Sequence, residues 1–163
     1  MSVSSPLPVE IVTQPAQLRD AIQVVCHEPV IALDTESNSL HHYPEQLCLI
    51  QIATSHKVYL IDTIALKELA PLKGVLANKA IVKVVHGADY DVRSLDRHYG
   101  FRVRNLYDTN IAARFEGMSK VGLAALVGEL LGVTILKSRR LQRADWGRRP
   151  LSSFPLRLRA VRL

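Results

Sequence analysis

Two carboxylates stand two positions apart at the end of an apolar run in the first quarter of the chain. Residues 30–34 read Val-Ile-Ala-Leu-Asp, and Glu36 follows Asp34 after a single Thr. Side chains at positions i and i+2 of a β-strand point to the same face, so Asp34 and Glu36 should lie side by side. Adjacent carboxylates repel unless a cation or proton sits between them, and Mg²⁺ and Mn²⁺ prefer such oxygen ligands. The pair is a candidate metal site, and a solvated strand end is the alternative.

A second group of acidic residues follows another apolar strand. Residues 81–85 form that strand, His86 and Gly87 turn the chain, and Asp89 and Asp91 then open a helix. Acidic residues in the first turn of a helix are favoured by its dipole and by capping, which suits Asp89. Asp91 directly precedes an apolar helix face, so it either shares this role or faces the sheet end that carries the first pair.

The apolar pattern predicts the strands and helices that must position these residues. Strands are predicted at residues 9–12, 30–34, 47–53, 57–61, 81–85 and near 103–106. A first helix is predicted after Thr13 as its N-cap, and a second within residues 65–78. A third has Val92, Leu95 and Tyr99 on one face and ends at Gly100. The last two are predicted over 109–115, with Asp108 as N-cap, and along 123–131, ending at Gly132. Three consecutive strands followed by strand–helix alternation indicate an α/β sheet of mixed direction.

Composition places the chain among globular proteins. Its 163 residues suffice for one domain with a core, and the hydrophobic share of 48% and charged share of 22% are ordinary for that class. No apolar run approaches the roughly 20 residues of a membrane span, and the first ten residues lack a secretory pattern. Cys26 and Cys48 form neither a disulfide framework nor a zinc site. We expect both to be reduced core residues of a cytoplasmic protein.

The net charge of +6 is concentrated near the C-terminus. Residues 137–163 hold nine Lys or Arg and one acid, whereas residues 1–136 hold 12 basic and 14 acidic side chains. A basic segment of this kind either follows nucleic-acid phosphates or is a solvated terminus.

Six segments, taken together, resemble the ribonuclease D and Werner-type branch of the DEDD 3′→5′ exonucleases. They are residues 31–37 (Ile-Ala-Leu-Asp-Thr-Glu-Ser), 47–54 (Leu-Cys-Leu-Ile-Gln-Ile-Ala-Thr), 83–91 (Lys-Val-Val-His-Gly-Ala-Asp-Tyr-Asp), 107–113 (Tyr-Asp-Thr-Asn-Ile-Ala-Ala), 123–127 (Leu-Ala-Ala-Leu-Val) and 145–151 (Asp-Trp-Gly-Arg-Arg-Pro-Leu). The likeness runs from about residue 9 to residue 153, in the family's order. It implies a ribonuclease H-like 3′→5′ exonuclease fold, with a mixed sheet flanked by helices. We therefore divide the chain into an exonuclease domain over 1–153 and a basic tail over 154–163.

The resemblance also implies roles for individual residues. Asp34 would bridge two divalent ions, Mg²⁺ or Mn²⁺, Glu36 would hold one ion and help to place the 3′-terminal nucleotide, and Asp91 would bind the second ion. Two ions roughly 4 Å apart stabilise the attacking and leaving oxygens of an in-line displacement. Thr35 and His86 are further candidates for substrate contact, although a capping or core role suits His86 equally well. Structural roles are predicted for three other matching residues, Asp108, Asp145 and Trp146.

The family's third motif, a Tyr followed after three residues by an Asp, is missing. The last Tyr of the chain is Tyr107 and the last Asp is Asp145, and the expected positions carry Leu158 and Arg162. In the family this Tyr orients the attacking water and this Asp completes the ligands of the first ion, so catalysis should be strongly depressed. The likeness also stops after Ser153, from which we hypothesise a truncated or frameshifted reading of a longer gene.

Three functional interpretations stay open at the level of the sequence. The first is a metal-dependent 3′→5′ exonuclease of reduced activity acting on a single-stranded 3′ end, with RNA favoured over DNA because the resemblance is to ribonuclease D. The second is a catalytically inactive nucleic-acid-binding module. The third is a non-functional fragment that exposes apolar surface. Dinucleotide binding is disfavoured because no Gly-x-Gly-x-x-Gly follows a strand. The oligomeric state is not indicated.

Overall fold

The computed structural model describes residues 7–135 and 143–150, and this part contains alternating strands and helices. In chain order they are β1 (Val9–Val12), α1 (Pro15–Val25), β2 (Val30–Ser37), β3 (Leu47–Ala53), β4 (Val58–Asp62), α2 (Pro71–Ala77), β5 (Val82–Val85), α3 (Asp89–Tyr99), β6 (Leu106–Asp108), α4 (Thr109–Phe115) and α5 (Leu123–Leu131). None of these helices is long and apolar enough to cross a membrane.

The strands form one sheet in the spatial order β1-β4-β3-β2-β5-β6. β3 is antiparallel to both of its neighbours, β2 and β4. β1 pairs parallel with β4, and on the other side β5 and β6 continue parallel to β2. The predicted sheet of mixed direction is confirmed. β2, which carries Asp34 and Glu36, lies inside the sheet with a strand on each side.

Alternating side chains divide the sheet into two packed faces, as the two-residue period of a strand requires. Ile50 and Ile52 of β3 belong to the main core, together with apolar residues of α1, α2 and α3. Leu49 and Ala53 belong to a smaller apolar cluster that includes Trp146. The first three helices therefore cover one face, and the segment around Trp146 packs on the other.

Capping residues set several helix boundaries as predicted. The Asp108 side chain accepts hydrogen bonds from the backbone N–H groups of Asn110 and Ile111 at the start of α4. Gly100 and Gly132 follow α3 and α5 with φ angles of 64° and 67°. This left-handed backbone favours glycine because glycine has no Cβ to clash with the preceding turn.

Two predictions near α1 are wrong. The N-cap is Gln14 and not Thr13, because the Gln17 Oε1 atom accepts from the backbone N–H groups of both residues and places the helix start one residue later. Cys26, expected in the core, is exposed directly after the last turn of α1, whereas Cys48 is buried as expected.

The predicted helix over residues 65–78 is only half present. Asp62 Oδ1 accepts from the backbone N–H groups of Ile64 and Ala65, each over 3.0 Å. These bonds cap a single turn, which the Leu66 backbone N–H closes on the Asp62 carbonyl oxygen over 3.0 Å. The chain leaves the helical pattern after this turn, and the helix begins only with α2.

The sixth strand also differs from its prediction, whereas the last helix has the bounds predicted for it. β6 begins at Leu106, opposite Lys83, and not at residue 103. The preceding Asn105 has a φ of 54°, which interrupts any extended run before it. In α5 the apolar stripe is buried only in part, because Leu130 and Leu131 are 67% and 64% exposed.

Candidate functional site

The two carboxylates of β2 lie on the same face of the sheet, as predicted. Ile31 and Leu33 belong to the main core, whereas Ala32 packs against the smaller cluster. By strand alternation Asp34 and Glu36 project on the side of the smaller cluster. Both are half-buried at the end of the strand.

Gln51 of β3 connects these two carboxylates. It is the Cα partner of Asp34 in the antiparallel pair. Its Nε2 atom donates to Asp34 Oδ2 over 3.2 Å and lies 3.5 Å from Glu36 Oε1. Both carboxylates are therefore within reach of a single amide group. Sequence reasoning did not select Gln51, although an amide in the middle of the apolar run Leu47–Ala53 was a signal that could have found it.

A gap beside the carboxylate pair arises because β5 is shorter than β2. The last paired residues are Ala32 and Val84, and β5 ends at Val85. β2 continues to Ser37, so β5 does not cover the final part of its edge. The first turn of α3 approaches β2 there and brings Asp91 to it.

Asp91 is buried and bonded to the residue that separates Asp34 from Glu36. Thr35 Oγ1 donates to Asp91 Oδ1 over 2.5 Å, and the Thr35 backbone N–H is a further donor to this carboxylate. Burial raises the pKa of Asp91, and both Thr35 donors oppose that rise because they stabilise the charged form. α3 thus places its acid at the end of β2, which is one of the two alternatives that the sequence left open for Asp91.

The oxygen donors of these carboxylates suit hard divalent cations. Asp34 and Glu36 form a pair, and Asp91 lies apart from them. Asp34 and Glu36 offer oxygen donors of the kind that Mg²⁺ and Mn²⁺ take. Within residues 7–135 and 143–150, no three His, Cys, Asp or Glu side chains are grouped closely enough to enclose one ion. Thr35 instead holds the Asp91 carboxylate at the edge of β2. The metal-binding and catalytic roles of Asp34, Glu36 and Asp91 stay predictions.

Asp108 ties the turn before α3 to the start of α4. Its carboxylate accepts from the backbone N–H groups of Gly87 and Ala88 over 2.9 and 2.8 Å, in addition to its two bonds within α4. Burial alone would raise the pKa of Asp108, but these four donors hold that pKa below its usual value. His86 joins the same connection, since its Nδ1 atom lies 2.9 Å from Thr109 Oγ1. Burial lowers the pKa of His86, and its contact with substrate stays a prediction.

A polar network that the sequence did not predict fixes α3 against the loop after β2. Ser37 Oγ lies 2.7 Å from the Tyr90 hydroxyl, which donates to Glu45 Oε2 over 2.8 Å. Arg97 donates to Glu45 Oε1 over 2.6 Å. The helix that carries Asp91 is thereby held to both ends of this loop.

Arg149 anchors the last described segment, residues 143–150, to the sheet. Its guanidinium forms a two-point ion pair with Asp62, Nε to Oδ2 at 2.7 Å and Nη2 to Oδ1 at 2.5 Å. Asp62 is only 2% exposed, and Trp146 is buried in the smaller cluster. Asp145 accepts from the backbone N–H of Gly147. These contacts agree with the structural roles predicted for Asp145 and Trp146.

Several predictions concern residues or limits that the described part does not test. Leu158 and Arg162, at the expected positions of the third motif, lie outside the described residues, as does the basic tail over 154–163. The boundary at residue 153 therefore stays a prediction. The contact of Thr35 with substrate also stays a prediction, and in the structure its hydroxyl donates to Asp91.

Comparison with known proteins agrees with this geometry. A family model described as 3′-5′ exonuclease matches residues 9–157. The chain is 38% identical over 143 residues to Protein RRP6-like 3 of Arabidopsis thaliana, covering 87% of this chain and 16% of that protein. It is 33% identical over 144 residues to Ribonuclease D of Granulibacter bethesdensis, covering 87% of this chain and 36% of that protein.

A solved structure extends the likeness to three dimensions. Escherichia coli RNase D matches with a TM-score of 0.80 and 35% sequence identity, over 89% of this chain and 38% of that one. The predicted ribonuclease H-like fold is confirmed. The chain spans between 16 and 38% of the length of these relatives. Because a family model matches residues 9–157, and because the chain resembles these relatives in sequence and fold, the chain belongs to the 3′-5′ exonuclease family, in the branch of ribonuclease D and RRP6.

Proposed function

We propose that this chain is a metal-dependent 3′→5′ exonuclease domain that acts on single-stranded RNA. The observation that carries the proposal is the pair Asp34 and Glu36, bridged by Gln51, with Asp91 held at the edge of the same strand. RNA is favoured because the relatives include ribonuclease D proteins, and Escherichia coli RNase D is an exoribonuclease involved in structured RNA processing.

Asp34 and Glu36 would hold one divalent ion, Mg²⁺ or Mn²⁺, and Asp34 and Asp91 would hold a second. Bound there, such ions supply an activated water and stabilise the charge that develops on the phosphate oxygens. The residues of this chain do the positioning. β2 presents two carboxylates on one face, and Thr35 fixes the carboxylate of Asp91.

We place the 3′-terminal nucleotide at the end of β2. Glu36 would contact it there, together with Thr35 and with His86 at the end of the neighbouring strand. The imidazole of His86 is oriented by Thr109, and the turn that follows is fixed through Asp108. A ring oriented in this way can meet a ribose or phosphate without a large loss of side-chain entropy.

A second candidate, an RNA-binding domain that does not cleave, is favoured by one sequence observation. The 163 residues contain no Tyr after Tyr107 and no Asp after Asp145, so they hold no Tyr-x-x-x-Asp motif beyond residue 150. A domain that keeps three carboxylates and nine basic residues over 137–163 would still bind phosphates. This candidate predicts binding that weakens with salt and no metal-dependent shortening.

The test is a cleavage assay on RNA labelled at one end. The purified chain is incubated with 3′-labelled or 5′-labelled single-stranded RNA, in Mn²⁺ or in EDTA, beside Asp34→Asn. Asp89→Asn is the matched control, because Asp89 is exposed in the first turn of α3 and pairs with Arg93.

We expect early release of the 3′ label and stepwise shortening of the 5′-labelled RNA, in Mn²⁺ only. The rate should fall by more than about 100-fold in Asp34→Asn, because a direct ligand should matter more than outer-shell residues, which cost 10- to 100-fold. Asp89→Asn should cleave like wild type. No Mn²⁺-dependent shortening by wild type above that seen with Asp34→Asn would overturn the exonuclease proposal, and salt-sensitive RNA binding by such a chain would favour the binding domain.

A further inference from the structure

β3 places one amide side chain in an otherwise apolar environment. Six of the seven residues of this strand are Leu, Ile, Cys or Ala, and all seven are buried. Gln51 lies between Leu49 and Ala53 on the face of the smaller cluster and is only 9% exposed. Burial of an amide without hydrogen-bond partners is unfavourable, because the amide loses its hydrogen bonds to water. A glutamine is therefore expected here only if its amide has a partner.

The partners of this amide are the two carboxylates of β2. Gln51 and Asp34 face each other across the antiparallel pair, and Glu36 is the diagonal neighbour two residues further along β2. Nε2 lies 3.2 Å from Asp34 Oδ2 and 3.5 Å from Glu36 Oε1. The amide carries two hydrogens, so it can give one to each carboxylate.

Gln51 suits a cation site better than a Lys or an apolar residue at the same position would. Two neighbouring carboxylates repel each other, and a neutral donor shared between them fixes one oxygen of each without neutralising either charge. A Lys at this position would compete with a divalent ion for the same charge. An apolar residue would leave the carboxylates to separate. Gln51 therefore orients the pair and preserves its attraction for a cation.

We propose that Gln51 is a positioning residue that sets the Asp34–Glu36 pair for a divalent cation before that cation binds. The inference rests on the proposed function, because it takes Asp34 and Glu36 as cation ligands. It goes beyond that function by assigning a role to β3, which supplies no carboxylate of its own to the site.

The test is direct binding of Mn²⁺ without RNA, followed as the loss of the electron paramagnetic resonance signal of free Mn²⁺. Gln51→Met removes the donor and keeps the length of the side chain, and Gln51→Leu is a second variant should the first fail to fold. Both are apolar, like the rest of β3. Gln23→Met, the same change at an exposed position of α1, is the matched control.

We expect Gln51→Met to weaken Mn²⁺ binding by about 10- to 100-fold, the usual cost of losing a residue that orients a ligand. Gln23→Met should bind like wild type, and all three proteins should show cooperative thermal unfolding. In the cleavage assay, the Mn²⁺ concentration that gives half the maximal rate should rise for Gln51→Met. The KM for RNA should not change.

Two different failures are distinguishable. If wild type and Gln51→Met bind Mn²⁺ equally and Asp34→Asn does not bind it, the role of Gln51 is overturned and the proposed function stands. If wild type shows no Mn²⁺ binding that depends on Asp34, both the proposed function and the role of Gln51 are overturned.

Discussion

Thr35 donates a 2.5 Å hydrogen bond from Oγ1 to Asp91 Oδ1, so the residue between the two acids of β2 positions the acid of α3. The hydroxyl lies on the helix side of the sheet, opposite to Asp34 and Glu36, because strand side chains alternate. Three acidic residues from two elements are thereby fixed around one strand end. β5 ends at Val85, so the edge of β2 beside Thr35 has no strand neighbour where α3 begins.

Thr35→Val should lower the free energy of unfolding by about 1–3 kcal/mol, because it leaves a buried carboxylate with one donor fewer. Val matches Thr in shape, so the loss measures the hydroxyl. Thr35→Ser keeps the hydroxyl and should cost only about 0.8 kcal/mol for the missing methyl group. Urea unfolding at pH 7 gives the free energy of unfolding of wild type, Thr35→Val and Thr35→Ser. Equal stability of the Val and Ser variants would show that the bond does not stabilise the fold.

Asp108→Asn tests the connection between the turn before α3 and the start of α4. The pKa of Asp108 is lower in the folded chain than the ordinary value of about 3.9 in the unfolded chain. Its charge therefore stabilises the fold fully above that ordinary value. The stabilisation is lost as the pH falls from there through the lower pKa of the folded state.

The free energy of unfolding of Asp108→Asn should be about 1 kcal/mol below that of wild type at pH 7. The difference should shrink as the pH falls below about 4. Urea unfolding at several pH values between 7 and 2.5 checks this. Asp96→Asn, at an exposed ion pair of α3 with Arg102, is the control and should change stability by no more than about 0.5 kcal/mol. A constant difference between Asp108→Asn and wild type at all pH values would contradict the charge-based account.

The buried ion pair of Asp62 and Arg149 should matter far more to stability than the exposed pair beside it. Arg149→Ala leaves Asp62, only 2% exposed, without its counter-ion. Breaking a buried pair in this way costs about 3–5 kcal/mol. Arg148→Ala removes an exposed side chain 3.5 Å from Asp145, and such pairs contribute about 0–1 kcal/mol. Thermal unfolding compares the two variants. Similar losses would show that residues 143–150 do not depend on the Arg149 anchor.

The sequence predicted the elements of the site better than their contacts. The i, i+2 spacing of Asp34 and Glu36 follows from strand geometry alone, and Asp108 carries a local capping signal, so both were read correctly. Gln51 meets the pair through cross-strand register, which no local pattern encodes. The bond of Thr35 joins β2 to α3 across a sequence separation of 56 residues, and that contact is a tertiary property as well.

Local predictions were wrong where a side chain sets the position of a first turn. Gln17 accepts from the backbone at Thr13 and Gln14, as in a capping box, and α1 begins one residue later than predicted. Asp62 caps a single turn after β4, where a longer helix was predicted. The N–H groups at the start of a helix have no backbone partner within that helix, so a side chain can decide where the turn begins.

The most direct test of the account is to locate Mn²⁺ in crystals of this chain by anomalous scattering. We expect an anomalous peak coordinated by Asp34 and Glu36, and the loss of this peak in crystals of Asp34→Asn. A map with Mn²⁺ peaks elsewhere on the chain and none within coordination distance of Asp34 or Glu36 would contradict it.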